Sequence, residues 1–363
     1  MTLSVMHLSP AHLRIVVILS LLQQLTLKRQ SHIFQEHLES DLRDCRECFA
    51  AQIENCLGLY ESLAEPEDLN KLLKDITLRL DYRHNYWLRL KSNNATLLAK
   101  RSTVEIRRAK GTKETSIELL RAQFLSSVQR PGQFQLCSGQ NTTKNESHRF
   151  VEYFRNRGHL ELTIWYYMTH YITPLLMQEL WALQWPVPRI YAACGLTYFQ
   201  AYAGRTLSEF GQEAPALRYR LAQQLLELAL KMTFGFDNFR IYITDFTTDN
   251  FAYDETRQEL TVIDLDTIVV VDAATPLREA EKYAPMPGSD DVFTYDVVAF
   301  CAGQLTDANV YQACRLLSDF LLHDADEDLH MILLNCVLCA DELCDLRFQY
   351  AYDLIKIFKQ GLE

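Results

Sequence analysis

The sequence predicts an α+β chain of two lobes, the first built on a β-hairpin and the second mainly helical. Three stretches carry that expectation. Tyr86–Lys91 and Thr96–Lys100 are strand-like runs around Ser92-Asn93-Asn94, a turn-forming cluster, so they read as a hairpin. In the stretch opened by Pro215 and closed by Gly235, Leu221, Leu225, Leu228 and Met232 fall at helical spacing, with helix-start and helix-stop residues at its ends. Arg240–Val271 reads as a short strand, a polar loop, a strand, a turn at Asp254–Arg257 and a strongly apolar strand. With 363 residues, the chain suits one two-lobed domain or two ordinary ones.

Taken in order, residues 1–30 carry a targeting signal. His7, His12 and Arg14 precede an apolar run, Ile15–Leu27, closed by Lys28 and Arg29. As a helix such a run rises about 20 Å, against a hydrocarbon core of about 30 Å, so it suits a signal peptide better than a full span. A retained signal anchor, attaching the chain to a membrane, is the alternative, and an amphipathic surface helix is a third reading. Residues 31–75 form a charged helical lead-in with the first cysteines. Residues 76–200 are expected to hold the first lobe and 201–363 the second. In the first, Thr115-Ser116-Ile117-Glu118 fits a capping box before an apolar face of Ile117, Leu120 and Phe124. Ser126–Ser147, with Pro131, Gly132 and Gly139, reads as an exposed loop, and the aromatic run Trp165-Tyr166-Tyr167 as core. Arg189–Phe199 reads as one strand, Ala203-Gly204-Arg205 as a break, and the chain beyond Asp290 as helical.

Composition excludes some functions. The formal net charge is −11, the wrong sign for a chain whose main partner is nucleic acid. The one basic stretch, Lys100 to Lys113, lacks interleaved aromatics and reads as a solvated surface. The 10 cysteines and the sequons at Asn94, Asn141 and Asn145, together with the N-terminal run, point to secretory entry. Two CxxC pairs, Cys45/Cys48 and Cys336/Cys339, lie too far apart, without a neighbouring His, to read as zinc; disulfides account for them better. Asp324, Asp326 and Asp328 imitate a calcium loop, but Leu329 and Asn335 stand where glycine and glutamate are needed.

Chemistry concentrates in one segment. Asp264 and Asp266, two apart on what reads as a strand, would share a face. Paired carboxylates repel unless a cation or donors compensate, and Mg²⁺ with phosphate oxygens would do so. Asn250 lies fourteen residues before Asp264, and Asp245 stands five before Asn250. An Asp, four residues and an Asn is the spacing of a kinase catalytic loop, where the Asp orients the acceptor hydroxyl and the Asn ligates metal. The order of helix, strand, Asp-x4-Asn loop, hairpin, strand and Asp strengthens that reading; turn-forming Asp and Asn residues are the bland alternative. Lys100 ends the strand LLAKR, and Glu118 follows at an interval suited to a phosphate-holding lysine and its helix glutamate. A surface charge and a capping acid are the respective alternatives. No glycine occurs between Gly58 and Gly111, so there is no Gly-rich loop over the phosphates, and Ile243-Thr244 replaces the usual His-Arg.

The motifs IYITDFTTDNFAYD and ELTVIDLDTIVVVD, preceded by RIYAACGLTYFQAYAGRTL, resemble the divergent protein kinase domain family, the secretory-pathway group that includes the deleted-in-autism proteins. The resemblance spans about residues 188–320, with the LLAKR lysine and an early CxxC in addition. It implies a two-lobed protein-kinase-like fold with a divergent first lobe, disulfide-paired cysteines, and residence in the ER or Golgi, or secretion. It puts Asp245 at the catalytic aspartate, Asn250 at the metal asparagine and Asp264 at the aspartate of the Asp-Phe-Gly motif, with Leu265 and Asp266 replacing the other two. Asp296, in TYDVVAF, resembles the aspartate of the helix beneath the catalytic loop. The expected ligands are ATP with Mg²⁺ or Mn²⁺, on Lys100 and Glu118 for the nucleotide and Asn250, Asp264 and Asp266 for the metal. Three readings follow: a lumenal kinase acting on a secretory-pathway or extracellular protein or a glycan, a pseudokinase serving as a binding module, and a cysteine-stapled structural protein.

Overall fold

The computed structural model of the chain describes residues 34–64, 85–93, 95–101, 115–127, 134–137, 149–273, 305–321, 327–338 and 347–362. The N-terminal apolar run, the three sequon asparagines, Asp296, Asp324, Asp326, Cys301, Cys339 and Cys344 lie outside the described residues. These residues fall into two compact units. One holds the described residues up to Arg101 together with Tyr191–Ala201, the other Thr115–Ile190 and Tyr202 onward.

The first unit is a five-stranded sheet backed by the lead-in helices. The helices are α1 (34–44), α2 (Arg46–Phe49) and α3 (Ile53–Ser62). The strands are β1 (Leu63–Ala64), β2 (Asn85–Leu90), β3 (Thr96–Arg101), β5 (Ile190–Cys194) and β6 (Thr197–Ala201), in the order β1-β2-β3-β6-β5. The expected hairpin is β2–β3, turning through 91–93. Phe34, Leu38, Cys56 and Tyr60 from the helices cluster with Leu97, Ala99 and Phe199 from the sheet. Residues two apart on a strand share a face, so Leu98 and Lys100 project from the opposite side of β3.

The stretch expected to be one strand, Arg189–Phe199, is instead a hairpin. Gly195 turns it with φ +62°, a conformation L side chains rarely adopt, and a Cβ there would run into the Asp41 carboxylate. That carboxylate is fully buried. It accepts from both Arg101 terminal nitrogens, at 2.8 and 2.6 Å, and from the Leu196 backbone N–H at 2.9 Å. A bidentate guanidinium and a backbone donor leave it well compensated. With the Cys56–Cys194 disulfide, this pair fastens the lead-in to the sheet.

The second unit opens with α4 (Ile117–Ser127), β4 (Gln135–Cys137), α5 (Arg149–Asn156), α6 (Glu161–His170) and α7 (Thr173–Ala182). Trp165, Tyr166 and Tyr167 are core, as expected, each 2 % exposed or less. The expected exposed loop at 126–147 contains a buried strand, β4. Gln135, Leu136 and Cys137 pair in parallel with a strand more than a hundred residues later, and that partnership has no local signature in sequence. After β7 (Arg205–Thr206) comes α8 (Pro215–Phe234), with Pro at its first position and Gly235 at its end, φ +71°. Its Leu221, Leu225 and Met232 are fully buried, and each such side chain contributes roughly 1.5–3 kcal/mol.

Then follow β8 (Phe239–Ile243), β9 (Phe251–Asp254), β10 (Glu259–Val262) and β11 (Ile268–Asp272), and the helices α9 (Ala308–Phe320), α10 (Glu327–Leu338) and α11 (Arg347–Gln360). Two three-stranded sheets result, β10-β9-β7 and β4-β11-β8. The described part of the chain is thus α+β, with its helices concentrated in the second unit. Disulfides join Cys45 to Cys48, Cys56 to Cys194 and Cys314 to Cys336, and Cys137 is also disulfide-bonded. Among the described residues no helix is long and apolar enough to cross a membrane.

Candidate functional site

The site of the second unit grows out of β8. All five of its residues are buried, and it pairs antiparallel with β11. At its end the Thr244 N–H and hydroxyl both donate to the Thr267 carbonyl, each at 3.0 Å, which closes the sheet and starts the loop. Phe246 turns inward, 8 % exposed, with its ring 4.6 Å from that of Phe251. Anchoring Phe246 leaves its neighbour Asp245 at the surface.

The Asp-x4-Asn loop closes on itself. The Asn250 side-chain Nδ2 donates to the Asp245 backbone carbonyl at 2.8 Å. A carbonyl only accepts, so this bond fixes which end of the amide is nitrogen and leaves Asn250 Oδ1 outside it. The Asn250 carbonyl in turn accepts from the Ile263 N–H at 2.9 Å, one residue before Asp264. The β9–β10 ladder, with Phe251 opposite Val262, therefore sets Asn250 and Asp264 at the same end of one hairpin.

Asp264 and Asp266 do not lie on a strand, contrary to the alternation read from the sequence. β10 ends at Val262 and β11 begins at Ile268. Between them the Asp266 N–H donates to Asp264 Oδ1 at 3.0 Å, the local turn that short carboxylate side chains form in competition with a ladder. Leu265 is buried, 1 % exposed. The Thr173 hydroxyl, at the start of α7, reaches Asp266 Oδ1 at 3.0 Å and the Leu265 carbonyl at 3.2 Å. Asp266 thus braces the turn from which Asp264 projects.

Two residues beneath the loop carry no chemical signal in the sequence. Asn309 Oδ1 accepts from the Ile243 N–H at 3.0 Å, while its Nδ2 donates to the Ile241 carbonyl at 2.8 Å and to Thr233 Oγ1 at 3.2 Å. One turn along α9, Gln312 Nε2 donates to the Ile243 carbonyl at 2.7 Å. Two amides on one helix hold the strand that presents Asp245. Sequence reading pointed to Asp296 for this task, and Asp296 lies outside the described residues. Asn309→Ala is expected to cost about 3 kcal/mol, because it strips partners from two buried backbone groups. Urea unfolding of the variant measures it, and a change below about 1 kcal/mol would show that water replaces the amide.

Lys100 belongs to the first unit, 7 % exposed on β3, and it is engaged rather than a loose surface charge. Glu118 stands in the exposed first turn of α4. Its own backbone N–H, and then the Ser116 hydroxyl, hold its carboxyl below the usual carboxylate range. Ser116 Oγ also accepts from the Leu119 N–H at 3.2 Å, so helix capping occupies this corner.

No three His, Cys, Asp or Glu side chains among the described residues are grouped so as to hold a metal. An ion here would take Asp264, the Asn250 amide oxygen and oxygens from its ligand. Mg²⁺ binds in that way, through one or two carboxylates plus phosphate and water, so the donor set fits it. The Asp245 loop also borders a cleft of about 390 Å³ against α9, lined by Thr244, Thr247, Tyr311, Arg315 and Asp319 among others.

Against known proteins, the family model described as the protein-kinase domain of FAM69 matches residues 165–340. That interval contains Asp245, Asn250, Asp264, Asp266, Asn309 and Gln312, and leaves out Lys100 and Glu118. The chain is 24% identical over 182 residues to the human protein named Divergent protein kinase domain 2A, with 43% of this chain and 41% of that protein covered. It is 29% identical over 177 residues to the Xenopus tropicalis protein of the same name, covering 42% and 40%. The match thus spans about two-fifths of the length of these relatives.

Proposed function

We propose that this chain, a divergent protein-kinase-like protein, binds Mg²⁺- or Mn²⁺-ATP at the Asp245–Asp264 site and transfers phosphoryl to a hydroxyl on a secretory-pathway or extracellular substrate. The observation that carries the reading is the closed loop: Asn250 tied to the Asp245 carbonyl by its amide nitrogen, and to Ile263 by its own carbonyl. In this reading Asp264 and the Asn250 amide oxygen ligate the metal, with Asp266 bracing the turn beneath them. Asp245, exposed at the loop, accepts a hydrogen bond from the acceptor hydroxyl and takes its proton. Bound metal-nucleotide supplies the phosphoryl group and the charge that offsets the carboxylates. Location in the ER or Golgi lumen, or outside the cell, is supported by the disulfides, which persist in oxidising compartments.

Thermal unfolding of the oxidised protein tests the nucleotide half of the proposal. A ligand that binds the native state alone raises the midpoint by mass action, about 2.7 kcal/mol of stabilisation at a hundredfold excess over Kd. Mg-ATP or Mn-ATP is expected to raise the midpoint of the wild type and to leave that of Asp264→Ala unmoved. An unmoved wild type with either metal would end the ATP reading. A second reading, a pseudokinase acting as a lumenal or secreted binding module, draws on the glycine-free stretch between Gly58 and Gly111, which supplies no Gly-rich loop of amides for phosphates. It predicts partner binding without transfer.

A further inference from the structure

Three disulfides have both of their cysteines among the described residues, and they are not equivalent. They differ first in access. Cys56, Cys194, Cys314 and Cys336 are fully buried, whereas Cys45 and Cys48 keep 5% and 3% of their surface exposed. They differ next in what the fold loses when they open. Stabilisation by a disulfide grows with the length of chain it closes, and Cys45–Cys48 spans a separation of 3 against 22 and 138 for the others. Opening this pair therefore leaves the fold least weakened. The last difference is a hydrogen bond, from the Cys48 N–H to Cys45 Sγ at 3.3 Å. A thiolate left on Cys45 retains that donor, and a stabilised thiolate leaves readily in thiol–disulfide exchange.

What the pair holds is a corner of the lead-in. Cys45 stands between α1 and α2, and its N–H donates to the Asp41 carbonyl at 2.8 Å. One turn back, the Asp41 carboxylate accepts from Arg101 and from the Leu196 N–H. Beyond the corner, Gln52 Oε1 accepts from the Gly195 N–H at 3.1 Å. The side chains that grip the β5–β6 turn thus flank the disulfide on both sides. Cys56–Cys194 ties the same region independently, so an open corner loosens the lead-in without releasing it. We propose that Cys45–Cys48 is a reversible thiol–disulfide site, that its co-reactant is a low-molecular-weight thiol of the glutathione class, and that its reduction frees the β5–β6 turn from Asp41 and Gln52. An external thiolate attacks Cys48 Sγ, and the bond to Cys45 breaks with its electron pair going to Cys45. A second external thiol displaces Cys48 from the mixed disulfide. Two external thiols thereby become one external disulfide, and the chain gains two thiols. The inference is independent of the phosphoryl-transfer reading and shares no residue with it.

The test places the full oxidised chain in a series of reduced-to-oxidised glutathione ratios, blocks free thiols with N-ethylmaleimide and maps the labelled cysteines by mass spectrometry. Cys45 and Cys48 are expected to be labelled together, at reduced glutathione roughly tenfold or more below the level that labels Cys56, Cys194, Cys314 or Cys336. Hydrogen exchange on the same samples reads the consequence. The Gly195 and Leu196 amides should exchange roughly tenfold faster once the pair opens, while the Ile243 amide of the second unit keeps its rate. Excess oxidised glutathione should restore slow exchange. The double variant Cys45→Ser, Cys48→Ser should show the fast exchange with no thiol added. Labelling of another pair at the same or lower glutathione would overturn the proposal, as would a Cys45–Cys48 pair that stays closed until the chain unfolds. Opening that leaves Gly195 and Leu196 as protected as before, in the reduced wild type or in the double variant, would overturn it equally.

Discussion

Arg347→Met is expected to lower the unfolding free energy by about 3–5 kcal/mol, the cost of leaving a buried charge without its partner. The Arg347 side chain is fully buried and Asp307 is 4% exposed, with Nη1 2.6 Å from Asp307 Oδ2. Nε also donates to the Cys336 carbonyl at 2.8 Å, and the guanidinium lies 5.2 Å from the Tyr311 ring centroid. Three elements therefore converge on one cation: α11, which carries Arg347; α10, which carries Cys336; and the start of α9, where Asp307 is the N-cap residue. Asp307 makes no side-chain capping bond, because its carboxylate is committed to the guanidinium. In a unit of this size the loss corresponds to a midpoint lower by about 10 °C. The double variant Arg347→Met, Asp307→Leu should recover a large part of it, since no orphan charge remains. Denaturant unfolding of the three variants measures the cycle; single losses below about 1 kcal/mol would mean that water reaches the pair.

The consequence extends to the site, because α9 also carries Asn309 and Gln312. A helix pinned at its start by Arg347 is the support on which β8 and the Asp245 loop rest. Further along it, Tyr311, Arg315 and Asp319 line the cleft beside that loop. One helix thus links a buried ion pair and the positioning of the loop. Weakening the pair is accordingly expected to weaken nucleotide binding as well as stability, read as a smaller Mg-ATP unfolding shift.

Local signals explain what the sequence made legible. Pro215 and Gly235 bound a helix in which Leu221, Leu225, Leu228 and Met232 recur at helical spacing, so α8 was readable to within two residues. Turn residues at 92–94 announced the β2–β3 hairpin, and the Asp-x4-Asn spacing led to a loop that the Asn250 amide closes. What stayed hidden depends on partners distant in sequence. Three residues at β4 look like loop until β11 pairs with them. Asp41 looks like one more charge on an amphipathic helix until Arg101 and Leu196 enclose it. Asn309 and Gln312 are unremarkable amides whose role is set by the backbone opposite. The turn at Asp264–Asp266 misled in another way. Its alternation imitates a strand, and only the side-chain capture of a backbone N–H decides against the ladder.

Asp245→Asn separates the two functional readings most sharply. The substitution keeps the shape of the side chain and the backbone carbonyl that Asn250 grips at 2.8 Å, so the loop and the metal ligands should stay in place. What it removes is the ability to take a proton, and general-base catalysis typically contributes about 10²–10⁴-fold. Transfer of labelled phosphate to a hydroxyl-bearing protein substrate is therefore expected to fall by about that factor, while the Mg-ATP unfolding shift survives. Asp264→Asn should abolish both, because it removes the charge on a metal ligand. If Asp245→Asn transfers within a few-fold of wild type, the carboxylate is not the base and the assignment of this loop fails. If the wild type shows the nucleotide shift but no transfer to any hydroxyl, the same geometry serves binding alone. In that case the glycine-free stretch before Gly111, with no amide cradle for the phosphates, becomes the physical reason that a complete set of loop residues does not turn over.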